Sequence, residues 1–169
     1  MLTRRRGEAS DRAKEQAFTL LFQELYQDAY RAAYRLLADP DAADDAASEA
    51  FARAYAHWDD IVDLPWRNAW VMRVTINLSL NVLSRKRLPL LPPRLIESED
   101  ASATRLAMVA ALSSLSRRQQ EAIVLHYLAG LTEEEVSAAM GVAPSTVKTH
   151  LKRGLEVLRT DLRDGDDVG

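Results

Sequence analysis

The stretch from Leu115 to Leu162, LSRRQQEAIVLHYLAGLTEEEVSAAMGVAPSTVKTHLKRGLEVLRTDL, constrains this chain most, because its caps and breaks divide it into three short helices. Ser116 is followed three residues on by Gln119, and Thr132 by Glu135. Each pair fits a capping box, in which the two ends satisfy orphan backbone N–H groups reciprocally. Helices are therefore expected to start near Arg117 and Glu133. Gly130 and Gly141 can take the left-handed conformation that ends a helix. Turns this short suit a helix-turn-helix.

Pro144 opens the third helix, at a position that tolerates a missing N–H. Val147, Leu151, Leu155, Leu158 and Leu162 form its apolar stripe. Ser145, Lys148, Thr149, Lys152 and Arg159 fall on the opposite face, with Arg153 flanking it. Such a helix can lie in a DNA major groove, with side chains near its N-terminus meeting base edges and its cations neutralising phosphates. The plainer reading of a cationic helix face is that water covers it, but the two capped helices in front favour the DNA reading. Gly154 is out of place, costing about 1 kcal/mol relative to alanine inside a helix.

The 169 residues suffice for one ordinary domain or two small ones, of globular composition. The absence of cysteine excludes disulfides, thiol catalysis and thiolate zinc sites. No signal-peptide core follows the charged N-terminus, and no run approaches the ~20 apolar residues of a membrane span. A cytoplasmic protein without membrane insertion is expected. The net charge is −3, but its distribution is uneven. Asp39 to Asp63 holds eight acids (Asp39, Asp41, Asp44, Asp45, Glu49, Asp59, Asp60, Asp63) against Arg53. From Leu64 to Ile96 there is no acid, and Arg67, Arg73, Arg85, Lys86, Arg87 and Arg94 supply positive charge. An acidic helix followed by a basic one suits two partners of different charge.

The rest reads as helix, without strand alternation. Phe18, Leu21, Phe22, Leu25, Ala29, Ala32, Ala33, Leu36 and Leu37 mark a first apolar stripe ending near Ala38. Asp39-Pro40 caps and opens a second helix, with Asp44, Asp45, Ser48, Glu49 and Ala52 facing outward. A loop at Asp59 to Pro65 leads to a third helix. There Trp66 and Trp70 suit either core packing or stacking on bases, and Asn77, Asn81 and Ser84 share a face. Pro89, Pro92 and Pro93 then begin an extended linker. The expected division is a flexible arm at 1–15, a helical domain at 16–87, the linker at 88–103, a second helical domain at 104–163 and a frayed tail at 164–169. The fold class is all-α, two small helical domains joined by a Pro-rich linker.

No enzyme is expected, and no metal or cofactor. His57, His126 and His150 lack the spacing of a helical metal site. A phosphate-binding glycine loop and a nucleophile elbow are absent from the sequence, and no small-molecule substrate is implied.

Three segments carry a family resemblance: ADPDAADDAASEAFARAYAHW, WVMRVTINLSLNVLSRKR and the C-terminal ALSSLSRRQQEAIVLHYLAGLTEEEVSAAMGVAPSTVKTHLKRGLEVLR. In this order they resemble the extracytoplasmic-function class of bacterial sigma factors, over roughly Phe18 to Leu162. The resemblance implies a promoter-recognition subunit that binds core RNA polymerase and promoter DNA. Asp44, Asp45, Ser48, Glu49 and Arg53 would dock on the polymerase clamp helices. Ser48 stands where the family often has glutamine. Asp63, Trp66, Arg67, Arg73, Asn77, Asn81, Arg85, Lys86 and Arg87 would capture a flipped base and open the −10 element. Lys148, Thr149, Lys152 and Arg153 would read the −35 element, with Ser145 and Thr146 on phosphate and Arg117 and Arg118 nearby. The C-terminal domain would also rest on the polymerase flap. An anti-sigma factor is an expected partner.

Two other readings compete. EEVSAAMGVAPSTVKTHLKR also resembles the DNA-binding domain of response-regulator-type activators, which would bring an α/β or ligand-binding partner domain. A helical protein-interaction module without DNA function is the third.

Overall fold

Asp39 and Pro40 set the first corner of the fold. Asp39 is extended (φ −135°, ψ 110°), as a residue before proline prefers, and its carboxylate accepts from Ala42 N. Ala38, just before it, is left-handed at φ 48°. Its N–H donates to Tyr34 O at 2.8 Å and closes the preceding helix. In the computed structural model, which describes residues 2–85 and 99–166 with side chains at 12–85, 104, 105 and 107–160, every element is helical. The all-α expectation is met.

The first half comprises α1 (Leu2–Leu37), α2 (Pro40–Ala56), the single turn α3 (Trp58–Ile61) and α4 (Arg67–Arg85). Ala29, Ala32 and Ala33 on α1 and Ala43, Ala47 and Ala50 on α2 are almost wholly buried, so small side chains bring these two backbones close. Around them Phe18, Phe22, Phe51 and Trp58 form an edge-to-face cluster, with Phe18 and Trp58 centroids 5.2 Å apart. Val71, Met72, Ile76 and Leu80 close the core from α4.

The second half comprises α5 (Glu99–Ser113), α6 (Arg117–Ile123), a π turn at Val124–Leu128, α7 (Glu133–Met140) and α8 (Pro144–Asp166). Both capping boxes form, from Ser116 with Gln119 and from Thr132 with Glu135. Gly130 and Gly141 are left-handed, at φ 74° and 65°. Val147 and Leu151 of the expected stripe are buried, while Leu155 and Leu158 are partly buried against the core. Leu162 lies outside the residues whose side chains are described. Gly154 has a purpose after all: a Cβ there would stand 3.1 Å from Ile123 Cγ1, so glycine lets α8 lie close on α6.

Four features depart from the expected layout. The anticipated arm at 1–15 is helical from Leu2, in a segment rich in Arg, Ala, Glu and Lys that favour helix, and Lys14 pairs with Asp59. The loop before the third helix begins with α3. Helix α5 starts at Glu99, inside the expected linker, and α8 runs three residues into the expected tail. Residues 86–98, with Lys86, Arg87 and the prolines, lie outside the described residues.

The largest difference is between the halves. Two helical domains joined by an extended linker were expected, yet α4 packs on α6, the π turn and α7 as well as on α1 and α2. The core is continuous from Leu21 to Leu151.

Candidate nucleic-acid interface

Helix α8 presents its polar face to water. Ser145, Lys148, Thr149, Lys152 and Arg153 are exposed and Thr146 is half-buried. Lys148 approaches Glu133 of α7 at 3.8 Å. Lys152 and Arg153 have no ion-pair partner among the described residues. Thr149 Oγ1 donates back to Ser145 O at 2.9 Å, so its hydroxyl oxygen is left to accept. Buried Val147 and Leu151 fix the rotation of the helix, so the cations point outward.

The α4 residues divide into three groups. Asp63 and Arg67 are exposed and Trp66 half-buried at the N-terminal end of the helix, with Arg67 reaching Val62 O at 3.4 Å. Arg85 is exposed at the other end. Between them Asn77 and Asn81 share a face, as their spacing predicts, with Ser84 Oγ donating to Asn81 O at 2.9 Å, and Arg73 one turn before them joins that face, which is turned onto α6. Arg73 Nε donates to Glu121 Oε1 at 2.6 Å and Asn77 Nδ2 to the same oxygen at 2.7 Å. Arg118 Nη1 donates to Glu121 Oε2 at 3.2 Å. Arg117 Nη2 donates to Asn77 O, Asn77 Oδ1 and Asn81 Oδ1 at 3.0–3.1 Å. Arg35 of α1 adds a bond to Leu128 O at 2.7 Å.

Glu121 is the centre of this network and is 2% exposed. Burial pushes its pKa upward, but hydrogen bonds from Asn77 and Arg73 with the charges of Arg73 and Arg118 outweigh that, holding the carboxyl below its ordinary range. Burial lowers the pKa of Arg117, partly offset by Glu121. Sequence reasoning missed Glu121. Its spacing from Arg118 was legible as an i,i+3 pair, but its contact with Arg73 spans 48 residues.

On α2, Asp44, Asp45, Ser48, Glu49 and Arg53 are all exposed. Arg53 Nε donates to Glu49 Oε1 at 2.8 Å. Tyr26, also unforeseen, donates to Asp44 Oδ1 at 2.6 Å and lies 3.0 Å from Ser48 Oγ, so α1 braces the acidic face. Its phenol pKa is raised by burial first and by Asp44 second. His126 Nδ1 donates to Leu131 O at 2.7 Å. Among the described residues no cluster suits a metal ion, and no helix is long and apolar enough to cross a membrane.

Comparison with known proteins matches the two halves separately. Sigma-70 region 2 matches residues 21–88, and Sigma-70, region 4 matches residues 105–158. The RNA polymerase sigma-E factor of Streptomyces avermitilis is 33% identical over 117 residues, covering 66% of this chain and 65% of that protein. The sigma-E factor of Streptomyces antibioticus is 30% identical over the same coverage. The matched stretch thus spans just under two thirds of these relatives. Among solved structures, CnrH in complex with the cytosolic domain of CnrY has a TM-score of 0.66 at 25% identity, covering 90% of both chains. The sigma factor RpoE of Bartonella quintana, in complex with the anti-sigma factor NepR, shares the fold with a TM-score of 0.59 at 21% identity, over 86% of this chain and 96% of that one. The region 2 match over residues 21–88, with no strand among the described residues of that half, does not favour a response-regulator-type activator.

Proposed function

The chain belongs to the sigma-70 family of RNA polymerase sigma factors, in its extracytoplasmic-function class, and on that premise we propose that it is a promoter-specificity subunit. It docks on core RNA polymerase, reads a −10 and a −35 element and assists strand opening, without a catalytic step of its own. The observation that carries this reading is the exposed cationic face of α8, held outward by buried Val147 and Leu151, inside the region 4 match.

Each role follows from the chemistry of its face. Lys148, Lys152 and Arg153 supply phosphate neutralisation and base-edge donors, and Ser145 and Thr146 stand at the helix N-terminus, where backbone N–H groups favour an anion. The acidic face of α2 suits a basic protein surface, and we assign Asp44, Asp45, Ser48, Glu49 and Arg53 to polymerase docking. On α4, amides and guanidinium groups suit unstacked bases, whose capture must offset a few kcal/mol of unstacking. Asp63, Trp66, Arg67, Arg73, Asn77, Asn81, Arg85, Lys86 and Arg87 are assigned to the −10 element. An anti-sigma partner is proposed on the same family basis. Activity beside polymerase and DNA implies a cytoplasmic location.

The test is run-off transcription with core polymerase on a library of genomic fragments. Promoter-dependent transcripts that require this chain are expected. Their absence from every fragment overturns the proposal.

A further inference from the structure

The three cations that the proposed function places on the −35 element are not equivalent. Lys152 and Arg153 have no ion-pair partner among the described residues, whereas Lys148 lies 3.8 Å from a carboxylate oxygen of Glu133. Glu133 is the first residue of α7 and is half-buried, while Lys148 stands one turn into α8 and is exposed. We propose that Glu133 is a positioning residue for Lys148: it holds the ammonium group back from backbone phosphate and leaves it to a base edge, so that it raises sequence discrimination at the −35 element and lowers affinity for DNA at large.

Of the acids that open α7, only Glu133 is placed for this. Glu135 is committed to its capping box, where its carboxylate accepts from Thr132 N at 2.8 Å and from Thr132 Oγ1 at 2.9 Å. Glu134 is exposed and makes no ion pair among the described residues. The box fixes the start of α7, α7 packs on α8, and Val136 of the one and Val147 of the other are buried in the same core. Glu133 is therefore presented from a rigid element, and a carboxylate in the first turn is itself favoured by the helix dipole.

A free lysine beside DNA is drawn to the nearest phosphate, which raises affinity for every sequence alike. A carboxylate next to it opposes that in two ways: it offsets the ammonium charge, and it repels any phosphate brought against α7. Repulsive elements of this kind are a common source of specificity. An exposed pair at this distance is weak, so Glu133 biases the lysine without locking it. The O6 and N7 acceptors of a guanine in the major groove can still take the ammonium group from it. The inference rests on the assignment of α8 to the −35 element, and the two fail in different ways.

Holoenzyme formed with the full chain is titrated across a salt series onto non-promoter duplex and onto a promoter found by the run-off test, with each base pair of its −35 element replaced in turn. Glu133→Gln should bind non-promoter duplex up to about fivefold more tightly, the most that an exposed ion pair supplies. Its slope of log affinity against log salt should steepen by roughly 0.9, the signature of one added phosphate contact. Discrimination should fall by up to about fivefold at one or two adjacent base pairs and hold at the others. In a Lys148→Met background Glu133→Gln should produce none of these changes. Glu134→Gln, which removes the same charge one residue along, should keep the parent's discrimination profile. A parental profile and salt slope in Glu133→Gln overturn the proposal. So does an effect of equal size in the Lys148→Met background, which would make Glu133 act on DNA directly, and so does a Glu134→Gln variant that matches Glu133→Gln, which would reduce the effect to net charge. A parent holoenzyme indifferent to every −35 replacement instead overturns the assignment of α8, and this inference with it.

Discussion

The two faces proposed to meet DNA differ in one respect: α8 shows its cations to water, whereas α4 spends its polar groups on the opposite half of its own chain. Both have the residue types that nucleic acid requires. Their difference teaches that donors and acceptors at the right spacing define what a surface can bind, and packing decides whether it is available. An open cationic face gains from counterion release at first encounter. On α4, Glu121 and Arg117 already hold the polar groups.

The comparison breaks most visibly on α8. Lys152→Ala combined with Arg153→Ala should lower binding of the holoenzyme to its promoter about 100-fold, at 1–3 kcal/mol per side chain. The slope of log affinity against log salt should fall by roughly 0.9 for each phosphate deprived of its cation. Filter binding across a salt series measures both. Equal affinity for parent and variant would remove α8 from the interface and leave α4 as the only candidate. Arg73→Ala should give a smaller net loss, because the same guanidinium serves both DNA and Glu121.

The same contrast marks what sequence could and could not convey. The capping boxes at Ser116 and Thr132, the left-handed Gly130 and Gly141, and the Asp39-Pro40 corner were legible, because each depends on residues within four positions. The face of α8 was legible for a similar reason: one stripe of Val147, Leu151, Leu155 and Leu158 fixes its rotation. The α4 face was legible as chemistry but not as a covered surface, since Glu121 and Arg117 reach it across 36 to 48 residues. The π turn at Val124–Leu128 also escaped. Nothing in VLHYL announces it, and it is visible through Ala129 N bonding Val124 O at 3.0 Å.

Gly154 ties the two faces together, since α8 rests through it on Ile123 of α6, the helix that carries Glu121. Gly154→Val puts branched methyls into a space already filled at 3.1 Å. A loss of about 2 kcal/mol in unfolding free energy is expected from overpacking, read by denaturant titration. A variant as stable as the parent would mean that α8 is seated by its leucines alone.

Acid should act on α4 and spare α8. The Glu121 pKa is lowered in the folded chain. Its contribution is therefore present above the ordinary carboxylate value of about 4.3 and lost as pH falls through the lower folded value. The charged groups that face it are the guanidinium groups of Arg73 on α4 and of Arg117 and Arg118 on α6, and the amides of Asn77 and Asn81 do not titrate. Stability in denaturant titration should hold from neutral pH to about 5 and fall below about 4, while Glu121→Gln removes that acid-dependent step. A step unchanged in Glu121→Gln would assign it to other carboxylates.

The smallest effect tests whether stability and DNA binding are separable. Ala38 holds a left-handed backbone at φ 48° between α1 and α2, where a Cβ is strained and glycine is not. Ala38→Gly should relieve that strain while enlarging the conformational freedom of the unfolded chain, two terms that oppose each other. The left-handed penalty for a residue with a Cβ is about 1–2 kcal/mol, so a net gain of about 0.5 kcal/mol is expected in thermal unfolding. The position touches neither α4's polar face nor α8, so promoter binding by the holoenzyme should not move. Binding that shifts with Ala38→Gly would show that the first half transmits its own strain to a DNA face, and the two faces would then no longer count as independent.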